Sequence, residues 1–128
     1  MHKVLIALLS ALLIAGCADS FEQKVVEVKF INHTGYPIQD ITVNAIPVGD
    51  LARGSASPYL VFARFGTDTG MPDADFRGRV GNQLLESTSR YYWCGTQKAP
   101  LAPGRYEVII ELVTLSEDEL LFDLRFVP

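Results

Sequence analysis

Cysteine and histidine are scarce in this chain of 128 residues, which has only Cys17, Cys94, His2 and His33. Two thiols cannot build a multi-bridge disulfide framework, so an apolar core has to hold the fold. His33 lies in the turn-forming stretch Asn32-His33-Thr34-Gly35-Tyr36-Pro37, where it reads as a surface side chain rather than a general base. No G-x-S-x-G occurs, which excludes the strained serine elbow of the α/β-hydrolases, and Arg53-Gly54-Ser55 reads as a loop. Trp93-Cys94-Gly95-Thr96 has one cysteine where dithiol exchange within a chain needs two. A clustered basic surface is missing as well: 11 Lys and Arg face 15 Asp and Glu, for a net charge of −4, so a nucleic-acid footprint is not expected. Asp68, Asp73 and Asp75 share a loop, but they lack the alternating spacing and distal glutamate of an EF-hand calcium site. The chain is therefore expected to have no catalytic, cofactor-binding or metal-binding residue, and not to be an enzyme.

Long apolar runs are also few. The longest, Val4 to Ile14, is broken only by Ser10 and falls well short of the ~20 residues that span a bilayer. Lys3 precedes it and the small residues Ala15 and Gly16 follow, the layout of a cleavable export signal. Ile14-Ala15-Gly16-Cys17 resembles the lipobox of bacterial lipoprotein precursors. The resemblance implies cleavage before Cys17, a diacylglyceryl group on its thiol and acylation of the new amine. Two or three acyl chains, at about 0.8 kcal/mol per buried CH₂, would make the anchor permanent. In that family an aspartate directly after the cysteine signals inner-membrane retention. Ala18 in that place implies the outer membrane, facing the periplasm. The expected organisation is a signal peptide over 1–16, a lipidated start and polar linker over 17–23, and one domain over 24–128.

Along that domain the patterning is strand-like. Val26, Val28 and Phe30 alternate with Glu27 and Lys29. Ile38 to Ile46 alternates Ile41, Val43 and Ala45 against Thr42 and Asn44, with Pro47 closing the run and Val48 to Ser57 read as a loop. Tyr59-Leu60-Val61-Phe62-Ala63 is apolar on both faces, which predicts a central strand or one covered by a loop. Thr67 to Asp75 and Gly95 to Gly104 read as connectors. Phe76 to Val80, Gly81-Asn82 and a return from Gln83 towards Cys94 predict a hairpin; a helix over 80–89 is the rival, weakened by Gly81 and the Ser/Thr run. Arg105 to Thr114 and Leu120 to Val127 alternate cleanly around Ser116-Glu117-Asp118 and predict an antiparallel hairpin. About seven short strands and no convincing helix predict an all-β fold. The expected architecture is an antiparallel two-sheet sandwich, immunoglobulin-like or transthyretin-like, with an open β-barrel as the alternative. The Pro103-Gly104 turn feeding a strand led by Tyr106 resembles a feature of such sandwiches.

Three surface readings complete the analysis. On a strand Tyr91 and Trp93 point one way and Tyr92 and Cys94 the other, so Tyr91 and Trp93 are the candidate partner surface, for an envelope protein or a glycan. Cys94, unpaired once Cys17 carries lipid, is expected to be buried and inert. Asn32-His33-Thr34 matches a glycosylation sequon that a bacterial lipoprotein would leave unused. The expected role is a lipid-anchored binding or assembly module of the cell envelope; a small periplasmic enzyme or hydrolase inhibitor is the alternative.

Overall fold

In a computed structural model of the chain, residues 25–88 and 97–128 are described. They form eleven strands: β1 (Val26–Asn32), β2 (Ile38–Val43), β3 (Ile46–Leu51), β4 (Leu60–Phe62), β5 (Gly66–Asp68), β6 (Met71–Asp73), β7 (Phe76–Val80), β8 (Gln83–Glu86), β9 (Lys98–Pro100), β10 (Gly104–Ser116) and β11 (Glu119–Phe126). The fold is all-β, a sandwich of two four-stranded sheets ordered β11-β10-β1-β4 and β3-β2-β7-β8, with a small third sheet β6-β5-β9; none closes into a barrel. Every strand pairing is antiparallel except β1 with β10, which run parallel from Val26 opposite Gly104 to Asn32 opposite Ile110. Among the described residues no helix is long and apolar enough to cross a membrane.

The core follows from alternation. Val26, Val28, Phe30 and Asn32 on β1 are buried, while the residues between them are half-exposed. Val108, Ile110, Phe122 and Leu124 meet them from the β10–β11 hairpin, and Ile38, Ile41, Val43 and Phe76 close the core from the second sheet. Phe76 joins the two layers, with its ring centroid 5.7 Å from Phe30 and 5.0 Å from Phe122. Tyr106 stands at the start of β10, and its hydroxyl donates to the Ala102 carbonyl at 2.8 Å. That bond, from a tyrosine back to the chain four residues upstream, fixes the Pro103-Gly104 corner in the manner of a tyrosine corner.

Four local expectations are corrected. Ile38 to Ile46 is not one strand: β2 ends at Val43, and Asn44 and Ala45 turn the chain with φ of 50° and 65°. Positive φ at both central residues is the signature of a type I′ hairpin turn. Pro47 lies inside β3, opposite Thr42, rather than closing a strand. The non-glycine turn is held from outside, since the Asn44 N–H donates to the Asp75 carbonyl and the Asp75 N–H donates to Asn44 Oδ1, both at 2.9 Å. Within β2 a bulge at Asp40, φ 52°, brings Ile38 and Ile41 to the core although they are three residues apart. The run through Leu60–Phe62 is neither central nor covered, because β4 is a sheet edge with Val61 58% exposed. The connectors expected over Thr67 to Asp75 and Gly95 to Gly104 supply β6, most of β5 and β9.

The β7–β8 hairpin turns at Gly81, φ 61°, with Val80 opposite Gln83, as the Gly-first turn predicts. Gly78, in the middle of β7, meets a different demand. A Cβ there would sit 2.6 Å from Ile38 Cγ2 and 3.3 Å from Ile41 Cγ1. The bulge has pushed both isoleucines against this backbone, so Gly78→Ala overpacks the core. A loss of about 1–3 kcal/mol is expected in urea unfolding, and an unchanged midpoint would contradict this packing.

Candidate functional site

Cys17, Tyr91, Trp93 and Cys94 lie outside the described residues. His33 is exposed, and its backbone N–H donates to the Ile110 carbonyl at 2.9 Å. The three loop aspartates do not converge. Asp73 pairs with Lys98 at 3.4 Å and Asp75 with Arg77 at 3.0 Å, and no three His, Cys, Asp or Glu side chains among the described residues gather into a metal site. The hydrogen bond and charge of Asp75 raise the Arg77 pKa above its ordinary value, so this guanidinium stays cationic at any working pH. The Ser55 hydroxyl bonds locally, donating to the Ala52 carbonyl at 2.7 Å, and the Ser55 carbonyl accepts the Asn32 N–H at 2.9 Å.

The sequon is a structural device. Asn32 is fully buried at the end of β1. Its Nδ2 directs donors to the carbonyls of Tyr36 (2.7 Å), Leu51 (3.3 Å) and Ala52 (3.2 Å). Its Oδ1 accepts from the Thr34 N–H (3.0 Å) and hydroxyl (2.7 Å). In the folded chain this amide is closed to a glycosylating enzyme. Ser57 and Ser87 act similarly in the core. The Ser57 N–H donates to the Phe30 carbonyl at 2.8 Å, and the Ser57 hydroxyl accepts the Phe30 N–H at 2.9 Å. Ser87 donates its hydroxyl to the Ala74 carbonyl at 2.9 Å.

On the outer face of the first sheet the charges are matched across strands. Arg105 meets Glu27 at 2.6 Å, Lys29 meets Glu107 at 3.8 Å, and Arg125 meets Glu111 at 2.7 Å. The Glu27 hydrogen bond raises the Arg105 pKa. The guanidinium of Arg105 and the Lys29 ammonium each stand 4.8 Å from the Tyr59 ring centroid. These cations are already engaged, and the face offers little unbalanced charge to a ligand.

Two clefts remain. One of ≈ 490 Å³ lies at the end where β1 begins and is lined in part by Val26, Arg64, Phe65 and Leu101. The other, of ≈ 410 Å³, is a groove between the edges of the two main sheets, lined in part by Leu84, Glu86, Asp118, Glu119, Leu120 and Leu121. At its closed end a parallel bridge joins Ser87 to Phe122; from there β8 and β11 diverge. Backbone alternation shows what lines it. The Ser87 N–H donates to the Phe76 carbonyl on β7, so the backbone groups of Gln83, Leu85 and Ser87 face β7 and those of Leu84 face the groove. The Val127 N–H donates to Glu107, so the backbone groups of Leu121, Asp123 and Arg125 face β10 while those of Leu120 and Phe122 point away from it, although the Phe122 side chain is buried in the core. Leu84 is 65% exposed, the most exposed large apolar side chain among the described residues.

Sequence reasoning did not find this groove. The alternation of Leu120 to Val127 was legible, but not which edge of that strand would be left open. No family model matches the chain, and no curated protein does. Among solved structures it is similar to the NMR structure of a protein from Eubacterium rectale, with a TM-score of 0.49 and 15% identity, covering 81% of this chain and 89% of that one.

Proposed function

We propose that this chain is a bacterial lipoprotein, exported, lipidated on Cys17 and held in the cell envelope at the outer membrane, where its sandwich serves as a binding or assembly module. The observation that carries the reading is Ile14-Ala15-Gly16-Cys17 at the end of a short apolar run preceded by Lys3. On this reading the position of the first strand sets how the sandwich is held. β1 begins at Val26, so the eight residues between Cys17 and the sandwich reach about 27 Å when extended. A tether that short holds the end bearing the Pro103-Gly104 corner near the lipid surface. The tip of the β10–β11 hairpin then points away from it. A sandwich held this way presents its far end to soluble or envelope-bound partners.

Metabolic labelling with radioactive palmitate tests the anchor. The wild type is expected to take up label and fractionate with membranes, and Cys17→Ser to lose both properties. Equal labelling of the two, or a mature chain that keeps residues 1–16, would overturn the proposal.

A further inference from the structure

We infer that the groove between β8 and β11 receives an extended segment of a partner protein, added as a strand and carrying basic residues at alternate positions. The inference rests on the reading of this chain as a binding module, and it supplies that module with a site and a class of partner.

Three observations converge on the groove. First, it is bounded by two strand edges that carry no further strand from the described residues, with the backbone groups of Leu84 and Leu120 turned into it. An open edge is a template for another strand, and β-strand addition is a recurrent mode of peptide recognition. The Ser87–Phe122 bridge marks where the two edges already meet, so an incoming strand lies where they part. Second, Leu84 projects 65% exposed beside the groove, an apolar seat with no occupant from the described residues. Third, the rim is acidic. Asp118 and Glu119 line the groove, Glu117 adjoins them, and none of the three has an ion-pair partner among the described residues.

The charge selects the occupant. A second copy of this chain carries a net charge of −4 and the same acidic rim, so pairing of two such edges meets like-charge repulsion. Leu85, Leu120 and Phe122 turn to the core, so Leu84 and Glu119 both project outward. A strand with lysine or arginine on its outward face meets the carboxylates with the charges and Leu84 with the alkyl stems, while apolar residues on its inward face cover Leu85 and Leu120. The groove also opens at the end of β10 opposite Gly104, away from the start of β1. A chain tethered through Cys17 therefore presents it towards the compartment rather than the lipid.

Fluorescence anisotropy on the full chain in detergent tests this, with a short labelled peptide alternating valine and lysine as probe. Saturable binding is expected, with none for the peptide alternating valine and glutamate. Asp118→Lys combined with Glu119→Lys should weaken binding by about tenfold or more at unchanged circular dichroism. Asp123→Lys, on the outer face of the first sheet, should leave it within about twofold. N-methylation of alternate peptide nitrogens, which blocks strand pairing but keeps the charge, should abolish binding.

Absence of binding, equal binding of the N-methylated peptide, or indifference to the rim variants would overturn the inference. So would a dimer in sedimentation that excludes the peptide, since the occupant would then be a second copy. Palmitate labelling of the wild type, run beside this titration, separates the two proposals. Peptide binding by a wild-type chain that takes up no palmitate sinks the anchor alone, whereas palmitate labelling without peptide binding sinks the groove alone.

Discussion

Asn32→Asp is expected to destabilise the sandwich by about 3–5 kcal/mol at neutral pH, a large part of the ~5–15 kcal/mol that holds a domain together. The two side chains have the same shape, so no cavity or clash is involved. The amide directs donors at three carbonyl oxygens, 2.7 to 3.3 Å away, and sits in a position with no exposure. An ionised carboxylate in its place has no proton to offer and faces those three oxygens with negative charge. The bonds that Oδ1 accepts from Thr34 survive, so the loss falls on the donor side. Burial and the facing carbonyls would raise the pKa of the introduced carboxyl above its unfolded value. The folded variant then holds its proton more tightly than the unfolded chain, and stability falls as pH rises between the two values. Urea unfolding of the variant should show the smallest deficit at mildly acidic pH and the largest at neutral pH. A deficit independent of pH, or one below about 1 kcal/mol, would mean that water satisfies these carbonyls and the staple is unimportant. Asn32→Ala should be destabilising without that pH dependence.

Phe30→Ala should be similarly severe, about 3–5 kcal/mol, for a different reason. Phe30 is fully buried, with ring centroids of Phe62, Phe65 and Phe76 at 6.3, 6.4 and 5.7 Å. It comes from a central strand, while these neighbours come from β4, from the residue preceding β5 and from β7 in the opposite sheet. Truncation empties the point where the two layers meet, and a close-packed interior collapses only partly into such a space. Phe30→Leu, which refills most of it, should cost under about 1.5 kcal/mol. Equal losses for the two variants would locate the effect in β1 itself rather than in the cavity.

Legibility in the sequence tracked how local each signal was. The alternation in β1 and in the β10–β11 pair shows because one face of each strand is buried along its length. The Gly81-Asn82 turn shows because glycine there meets a backbone demand that two residues suffice to state. β3 did not show, since it is an edge strand with Ile46, Pro47 and Gly49 largely outside the core. Its turn uses Asn44 and Ala45, which look like strand residues until Asp75 holds them from another part of the chain. The three-residue strands β5, β6 and β9 exist through one another, and no segment that short carries a pattern of its own. Ser57 reads as a loop serine because its partner, Phe30, lies far along the chain. As for the candidate site, its acidic residues were visible as a turn, but the facing edge, β8, which lies far back along the chain, was not.

By itself the sequence determined the class of fold, because period-two alternation with frequent turn residues leaves little besides stacked sheets. It also determined the expectation of an anchored chain, because that rests on a contiguous run ending at Cys17. Strand order, the parallel pairing of β1 with β10, and the use of Asn32 as a staple were decided only in three dimensions. So was the acid-rimmed groove between β8 and β11. Each depends on which edges and side chains meet across long separations, and alternation states which face of a strand is buried but not what lies beside it.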